Sequence, residues 1–195
     1  MTTALVTGPA RTRRVTRRAR SRHGVALLFL GALLYQGFHQ LEHTIETVQL
    51  RVLGHDSAHT LIGGLDFEWV HLGANVFLMW CIVAVAVGAG ADTRASWRTD
   101  ARVGWWGLCA ALTVQGYHVV EHLVRIVQYV VSGGDYPPGT VTTVLDPVWF
   151  HFGVNLTVLV GMAVAFFGLG LHRHVLQPAP SRPPRMPRSG SGSTV

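Results

Sequence analysis

The chain has 195 residues, of which 49% are hydrophobic, 13% are charged and 22 are glycine. This composition is too apolar and too rich in glycine for an ordinary soluble domain. The formal net charge of +6 comes from arginines that gather mostly at the two termini and in one loop, which excludes the basic groove with stacking aromatics that binds nucleic acid.

Residues 1–22 form an arginine-rich segment at the N-terminus. Its seven arginines and its lack of an apolar run predict a disordered cytoplasmic segment that interacts weakly with anionic lipid headgroups. A cleaved signal peptide is disfavoured, because no small-residue cleavage site follows the next apolar stretch.

Four apolar stretches follow along the chain, each near or above the ~20 residues that a helix needs to cross hydrocarbon. The last begins with Asp146 and Pro147, which predict an N-cap and a proline at the first helical position. Asp66 stands at the same place in the second stretch. We therefore predict an all-α membrane protein with four transmembrane helices. The stretches cover residues 25–52, 66–87, 103–131 and 146–171.

The arginines between and after the stretches predict the orientation in the membrane. Three lie between the second and third stretches and four follow the fourth, whereas residues 54–65 and 132–145 contain none. Because positive residues stay on the cytoplasmic side, both termini and the middle loop, residues 91–102, are predicted to be cytoplasmic in a protein of the plasma membrane. The tail, residues 173–195, is rich in proline, arginine and serine and is predicted to be disordered.

The chain also resembles itself at an offset of 79 or 80 residues. The octapeptide QGFHQLEH from Gln36 matches QGYHVVEH from Gln115 at five positions. The segment LDFEWVHLGAN from Leu65 matches LDPVWFHFGVN from Leu145 at six positions, and a Val-Gln pair follows each octapeptide. The similarity therefore covers a unit of two helices.

Two spans per unit place both units the same way round in the membrane. We therefore predict two parallel hairpin repeats, residues 23–90 and 103–172, related by a pseudo-twofold axis along the membrane normal. The expected fold is a four-helix transmembrane bundle. Glycines that repeat in register are predicted to let the helices approach closely. They are Gly37, Gly73, Gly116 and Gly153.

Each predicted repeat carries a cluster of histidine, glutamate and asparagine. The first and third spans contain His-x-x-Glu-His, the second and fourth contain His-x-x-x-Asn, and side chains three or four residues apart share a helix face. Counting the helical rise from the outer ends places these groups at a similar depth, between the midplane and the outer face. The predicted site residues are His39, Glu42, His43, His71, Asn75, His118, Glu121, His122, His151 and Asn155.

Ionisable groups at this depth are costly to bury, so the set favours a bound metal. Imidazoles and carboxylates without thiolates suit iron, manganese or zinc, and in four-helix bundles such inward-facing groups build dinuclear sites. The first expectation is two iron ions, with manganese or zinc also possible. Haem b, ligated by two histidines of facing helices, is the alternative. Glu42 and Glu121 disfavour haem, because a carboxylate is an awkward neighbour for an apolar porphyrin.

Three classes of function stay open at this point. The first is an oxidoreductase whose dinuclear centre acts on a lipophilic substrate or exchanges electrons with a redox partner. The second is a haem-binding electron carrier. The third is a nonenzymatic metal or proton transporter, or an accessory subunit whose polar residues only join its helices.

The two predicted repeats differ at a few charged positions. Glu46 aligns with Arg125, and each lies on the cluster side of its helix, which predicts an ion pair between them. Glu68 aligns with a valine and shares a helix face with His71, so the first repeat has one more carboxylate. Candidates for guiding metal entry occur only in the first outer loop and are His55, Asp56 and His59.

Overall fold

The structure, a computed structural model, describes residues 9–59, 61, 68–93, 99–134 and 139–176, with the backbone alone for 9–21, 89–93 and 99–100. Every regular element in these ranges is a helix and none is a strand, which confirms the all-α prediction. The elements are α1 (Pro9–Thr47), a π-helical turn that continues it (Val48–Val52), α2 (Glu68–Thr93), α3 (Thr99–Val131), α4 (Pro147–Gly168) and the short α5 (Leu171–Val175).

Three helical segments in the described part of the chain are long and apolar enough to cross a membrane. They are Arg22–Val52, Glu68–Gly88 and Pro147–Gly168. Large apolar side chains on the outside of the structure, such as Leu34, Trp80 and Trp106, indicate contact with the lipid bilayer. A membrane location is therefore supported. Helix α3 has 33 residues, but polar residues such as Gln115 and His118 interrupt its apolar run, and its role as a fourth span stays a prediction.

The first helix begins earlier than the sequence predicts. It starts at Pro9, within the segment 1–22, for which the sequence predicts disorder. Proline is favourable in the first turn of a helix, and arginine and alanine, which fill the next turns, are good helix formers. Asp66, the residues before Pro9 and those after residue 176 lie outside the described part of the chain.

The long helices contact one another in a closed order. Helix α1 packs against α2 and α4, and α3 also packs against α2 and α4, while α5 folds back onto α1 and α4. Helices α1 and α3, which carry the two similar octapeptides, therefore lie diagonally opposite each other. This diagonal placement decides which polar side chains can meet.

The apolar core fills one half of the helix assembly, towards the end where α2 finishes and α3 begins. We call it the α2–α3 end. The buried side chains of this half come from all four long helices and from α5, and include the ring pair of Phe29 and Phe166, whose centroids are 6.2 Å apart. The core residues are Ala26, Phe29, Ala32, Leu78, Cys81, Ile82, Val85, Leu108, Ala111, Val158, Met162, Ala165, Phe166 and Leu171.

The glycines that repeat in register do not mediate helix contacts. A Cβ atom added at Gly37, Gly73 or Gly153 would have no neighbour within 4 Å, and one at Gly116 would only touch the end of the Met79 side chain at 3.4 Å. The prediction that these glycines let the helices approach closely is therefore wrong. These glycines recur because the two segments are similar in sequence. Their recurrence does not indicate which helix face packs against a neighbouring helix.

A different pair of glycines brings α3 and α4 together. A Cβ atom at Gly107 would lie 2.7 Å from the carbonyl oxygen of Gly161, and one at Gly161 would lie 2.9 Å from the carbonyl oxygen of Gly107. Real Cβ atoms do not approach a backbone oxygen so closely, so either substitution forces the two helices apart. Small residues permit such close contact between apolar helices.

We expect Gly107→Ala to lower the free energy of unfolding by about 1–3 kcal/mol, the usual cost of forcing extra volume into a packed interface. Gly73→Ala is the matched control, because its added methyl group meets nothing and alanine favours the helix. Thermal unfolding in detergent, followed by helical circular dichroism, compares the two variants with the parent. Equal stability of both variants would contradict the close contact of α3 with α4.

The start of α4 is built as the sequence predicts. The Asp146 carboxylate accepts hydrogen bonds from the backbone N–H groups of Val148 (3.0 Å) and Trp149 (3.2 Å), with Pro147 in the first turn. The guanidinium of Arg51 lies 2.7 Å from the same carboxylate. Partial burial raises the pKa of Asp146, but the bonds from Arg51 and from the α4 backbone outweigh it, and the pKa lies below its ordinary value.

Candidate metal centre

The six predicted histidines come together as two groups of three. In each group the ligand nitrogens, one per histidine, lie within 4.8 Å of one another. Each group takes two histidines four residues apart on one helix, where they share a face, and a third from the next helix along the chain. The first triad is His39, His43 and His71, and the second triad is His118, His122 and His151.

The two triads touch each other. The rings of His43 and His151 stack with centroids 5.8 Å apart, and those of His71 and His122 stack at the same separation. The first contact joins α1 to α4 and the second joins α2 to α3, which are the neighbouring helices of the fold. The six imidazoles therefore form one continuous cluster.

Several nitrogens of the cluster are buried and have no hydrogen-bond partner. They are Nε2 of His39, His43 and His151 and Nδ1 of His118. A buried polar atom without a partner costs about 1–3 kcal/mol, so four of them in one cluster are compatible with a metal ion that the imidazoles could hold.

The pair His118 and His122 has the spacing of metal ligands. Their Nε2 atoms are 3.0 Å apart. Two imidazoles of one tetrahedral site lie about 3.3 Å apart, because each metal–nitrogen bond is about 2.0–2.1 Å long. The distance also suits a hydrogen bond between the two imidazoles, so the pair can form this bond or share a metal ion.

Carboxylates hold one histidine of each triad. Nδ1 of His43 lies 3.0 Å from Glu46 Oε2, and Nδ1 of His122 lies 2.7 Å from Glu68 Oε1. Such a bond fixes the imidazole with its other nitrogen free to face a metal and raises its basicity as a ligand. His43 and His122 occupy matched positions in the sequence, whereas their two glutamates come from unmatched positions, Glu46 on α1 and Glu68 on α2.

The ion pair predicted between Glu46 and Arg125 is wrong. Glu46 contacts His43 on its own helix, and Arg125 Nε lies 3.4 Å from Glu68 Oε1. Matched positions on α1 and α3 lie on opposite sides of the assembly because these helices are diagonal. Each charged group therefore finds its partner on its own helix or on a neighbouring one.

The glutamates of the two repeated motifs differ in their surroundings. Glu121 accepts hydrogen bonds from the Thr140 N–H (3.0 Å) and hydroxyl, from Thr142 (3.3 Å) and from Tyr117 (3.1 Å). These bonds hold the chain segment before α4, where Gly139 has φ +76° and packs so closely that a Cβ would collide with the Glu121 carboxylate. Glu121 is therefore committed to this connection and does not complete the second triad.

Glu42, at the matched position in α1, is buried and stays beside the first triad. Its Oε2 atom lies 3.9 Å from Nδ1 of His39, beyond hydrogen-bond distance. The carboxylates of the motif thus stand at the edge of the imidazole cluster, and the nitrogens that face one another are all imidazole.

Asn75 and Asn155 are placed one helical turn from the triads, towards the α2–α3 end. Gln115 Nε2 donates to the side-chain oxygen (2.8 Å) and backbone oxygen (3.1 Å) of Asn75. Gln36 Nε2 makes the matching bonds to Asn155, at 3.0 and 3.1 Å. These four buried amides form the amide layer, which joins α2 to α3 and α1 to α4.

The two glutamines of the amide layer were missed as site residues. Each is the first residue of a repeated octapeptide, and that identity was the available signal. The repeated Val-Gln pair has a similar explanation. Gln49 Oε1 accepts from the His59 N–H (2.7 Å) and Gln128 Oε1 accepts from the Gly139 N–H (3.1 Å), so each glutamine holds the connection that follows its helix.

The loop between α1 and α2 does not contribute to the triads in the described part of the chain. His55, Asp56 and His59 are exposed, and no group of three ligand side chains includes them there. Their proposed part in metal entry stays a prediction. No family model, curated protein or solved structure matches this chain.

Proposed function

We propose that this chain is a transmembrane four-helix bundle of two parallel hairpin repeats, residues 23–90 and 103–172, that binds two transition-metal ions, one in each histidine triad. One observation carries the proposal. Two sets of three imidazoles meet deep between the helices, and four of their nitrogens are buried without a hydrogen-bond partner. The matched bonds of the amide layer, Gln36 to Asn155 and Gln115 to Asn75, support the twofold relation of the repeats.

The proposal includes α3 as the fourth span. Its polar residues, among them Gln115, His118 and Glu121, are fully buried, whereas its outward face carries exposed apolar residues that include Trp106 and Val120. Polar groups turned into the bundle and apolar groups turned towards lipid are what a membrane requires of a helix.

Imidazole nitrogens suit iron, copper, nickel and zinc. Manganese favours carboxylate oxygen as a ligand. It is a less favourable occupant here, because Glu121 accepts its hydrogen bonds from the segment before α4. We assign two redox-active ions to the centre, with iron as the first choice and copper as the second. When bound, such ions supply one-electron chemistry, and the residues of the chain ligate and orient them.

Haem b is the less favourable occupant. The imidazole rings of the cluster pack against one another with centroids 4.6–6.1 Å apart, so they occupy the space that a porphyrin between two helices would need. Bis-histidine ligation of haem requires facing imidazoles with an apolar slot between them. Here the facing imidazoles of the two triads are in ring contact at 5.8 Å.

A transport pathway is also less favourable than a fixed centre. On the side of the amide layer towards the α2–α3 end, the fully buried side chains in the described residues are apolar, and include Phe29, Ile82 and Met162. An ion or proton that crosses a membrane needs polar groups along its whole path. A centre that the apolar core closes off on this side instead favours an oxidoreductase that meets a lipophilic substrate or redox partner within the bilayer.

Elemental analysis and absorption spectroscopy of the protein purified in detergent test this proposal. We expect two iron or copper ions per chain, no Soret band, and a spectrum that changes reversibly with dithionite and oxygen. If zinc is the only metal found, the proposed metal site is supported and the proposed oxidoreductase function is contradicted. A stable helical protein from metal-replete cells with neither metal nor haem would overturn the proposal and favour a purely structural polar network.

A further inference from the structure

The two triads stand in different electrostatic surroundings. Beside the first triad, Glu46 is bonded to His43 (3.0 Å) and Glu42 lies 3.9 Å from His39. In the described residues no arginine is paired with Glu46. The first triad is thus flanked by two carboxylates.

The second triad has a carboxylate that is shared with a cation. Glu68 is bonded to His122 (2.7 Å), and the guanidinium of Arg125 lies 3.4 Å from the same carboxylate oxygen. The side chains of Glu68 and Arg125 are only 16% and 22% exposed, so solvent screens them partly. The other glutamate on this side, Glu121, is bonded to the segment before α4. Beside the second triad, the carboxylate that holds a ligand histidine is thus paired with an arginine.

We propose that the first triad binds its metal ion more tightly than the second, so that the centre fills in a fixed order. This inference rests on the metal binding proposed above. A carboxylate bonded to a ligand imidazole raises its affinity for metal, and loss of such a partner typically lowers metal affinity 10–100-fold. Arg125 pairs with Glu68 and so reduces the effect of this carboxylate on the metal affinity of His122. Its positive charge also repels a dication through a medium of low dielectric. Glu46, Glu68 and Arg125 are therefore positioning residues.

The order follows from charge at positions where the two sequence segments differ. The ligating histidines are matched, but Glu46 aligns with Arg125 and Glu68 aligns with Val148. Two sites with the same ligands and the same surroundings would have equal intrinsic affinity, and neither would be the first to fill. The positions at which the two repeats differ lie beside the proposed ligands, and the ligands themselves are the same in both repeats.

Titration of the metal-free full chain in detergent with Co²⁺, followed by visible absorption in competition with a chelator, measures the two affinities. We expect two binding steps whose dissociation constants differ at least about tenfold. His39→Ala should remove the tight step and leave the weak one. His118→Ala, its matched variant, should remove the weak step and leave the tight one.

Changes to the positioning residues test the cause. Glu46→Gln should weaken the tight step about 10–100-fold, and Arg125→Gln should strengthen the weak step. Arg125→Lys keeps the positive charge and should leave the weak step nearly unchanged. Arg51→Gln is the control for a lost cation elsewhere, because Arg51 pairs with Asp146 at the start of α4, and it should change neither step.

Equal affinities in the parent protein, or a tight step that survives His39→Ala and disappears in His118→Ala, would overturn the order of filling while leaving the metal centre in place. An Arg125→Gln variant that folds with an unchanged weak step would also overturn it. A helical protein that binds no Co²⁺ at all would overturn the proposed metal centre and the order with it.

Discussion

Replacement of His43 by alanine is expected to remove one of the two metal ions that we propose the protein binds, and His122→Ala is expected to remove the other. Each substitution takes one imidazole from a set of three, and incomplete coordination lowers metal affinity steeply. Metal content per chain should therefore fall by about half in each single variant and to almost nothing in the double variant. Elemental analysis of protein with unchanged helical circular dichroism measures this.

His55→Ala is the matched control for a lost histidine. His55 is exposed in the loop between α1 and α2, so this variant should keep both ions. Loss of both ions from either single variant would show that the two triads form one inseparable site. Full metal content in both single variants would place the metal outside the triads and contradict the proposed centre.

Cysteines at Ser57 and Ser132 are expected to react with an impermeant thiol reagent on intact cells, whereas a cysteine at Ser96 is not. Because positive residues stay on the cytoplasmic side, we expect the arginine-rich middle loop and termini to be cytoplasmic and the connections after α1 and α3 to be outside. Ser57 and Ser132 are both exposed in the structure, so their replacements should be accessible. The contrast should be between nearly complete labelling and background.

The native thiols set that background. Cys81 is buried in the apolar core, and Cys109 is exposed on α3, so Cys109→Ser is introduced first and the Cys81-only protein is the blank. Labelling of Ser96→Cys alone would reverse the orientation and place the histidine triads nearer the cytoplasmic face. Labelling of only one of the two outer positions would contradict α3 as a fourth span.

Local features of this protein follow from the sequence by itself. Apolar runs long enough for a membrane predict the long helices, and Asp146 followed by Pro147 predicts the start of α4, because capping depends only on adjacent backbone groups. Histidines four residues apart must share a helix face, so the sequence predicts that α1 and α3 each carry a pair of histidines on one face. The repetition of these pairs predicted that two such sets exist.

The tertiary structure decided which groups meet across the helices. Asn75 was predicted to face a metal, but its side chain bonds to Gln115 on α3, and Glu121 is taken by Thr140. Glu68 reaches His122 on the neighbouring helix, which no alignment of the two segments predicts because Glu68 has no matching glutamate. The close contact of α3 with α4 at Gly107 also depends on the tertiary structure and is not predicted by the sequence.

The physical reason is the geometry of helix packing. The sequence spacing fixes the angle between two side chains about their own helix axis, but it does not fix how each helix is rotated and shifted against its neighbours. That rotation is decided by the packing of whole faces, here the apolar core and the glycine contact of α3 with α4. The sequence alone therefore determined the ligand types and their faces, and only the packed structure decided which imidazoles, amides and carboxylates came together.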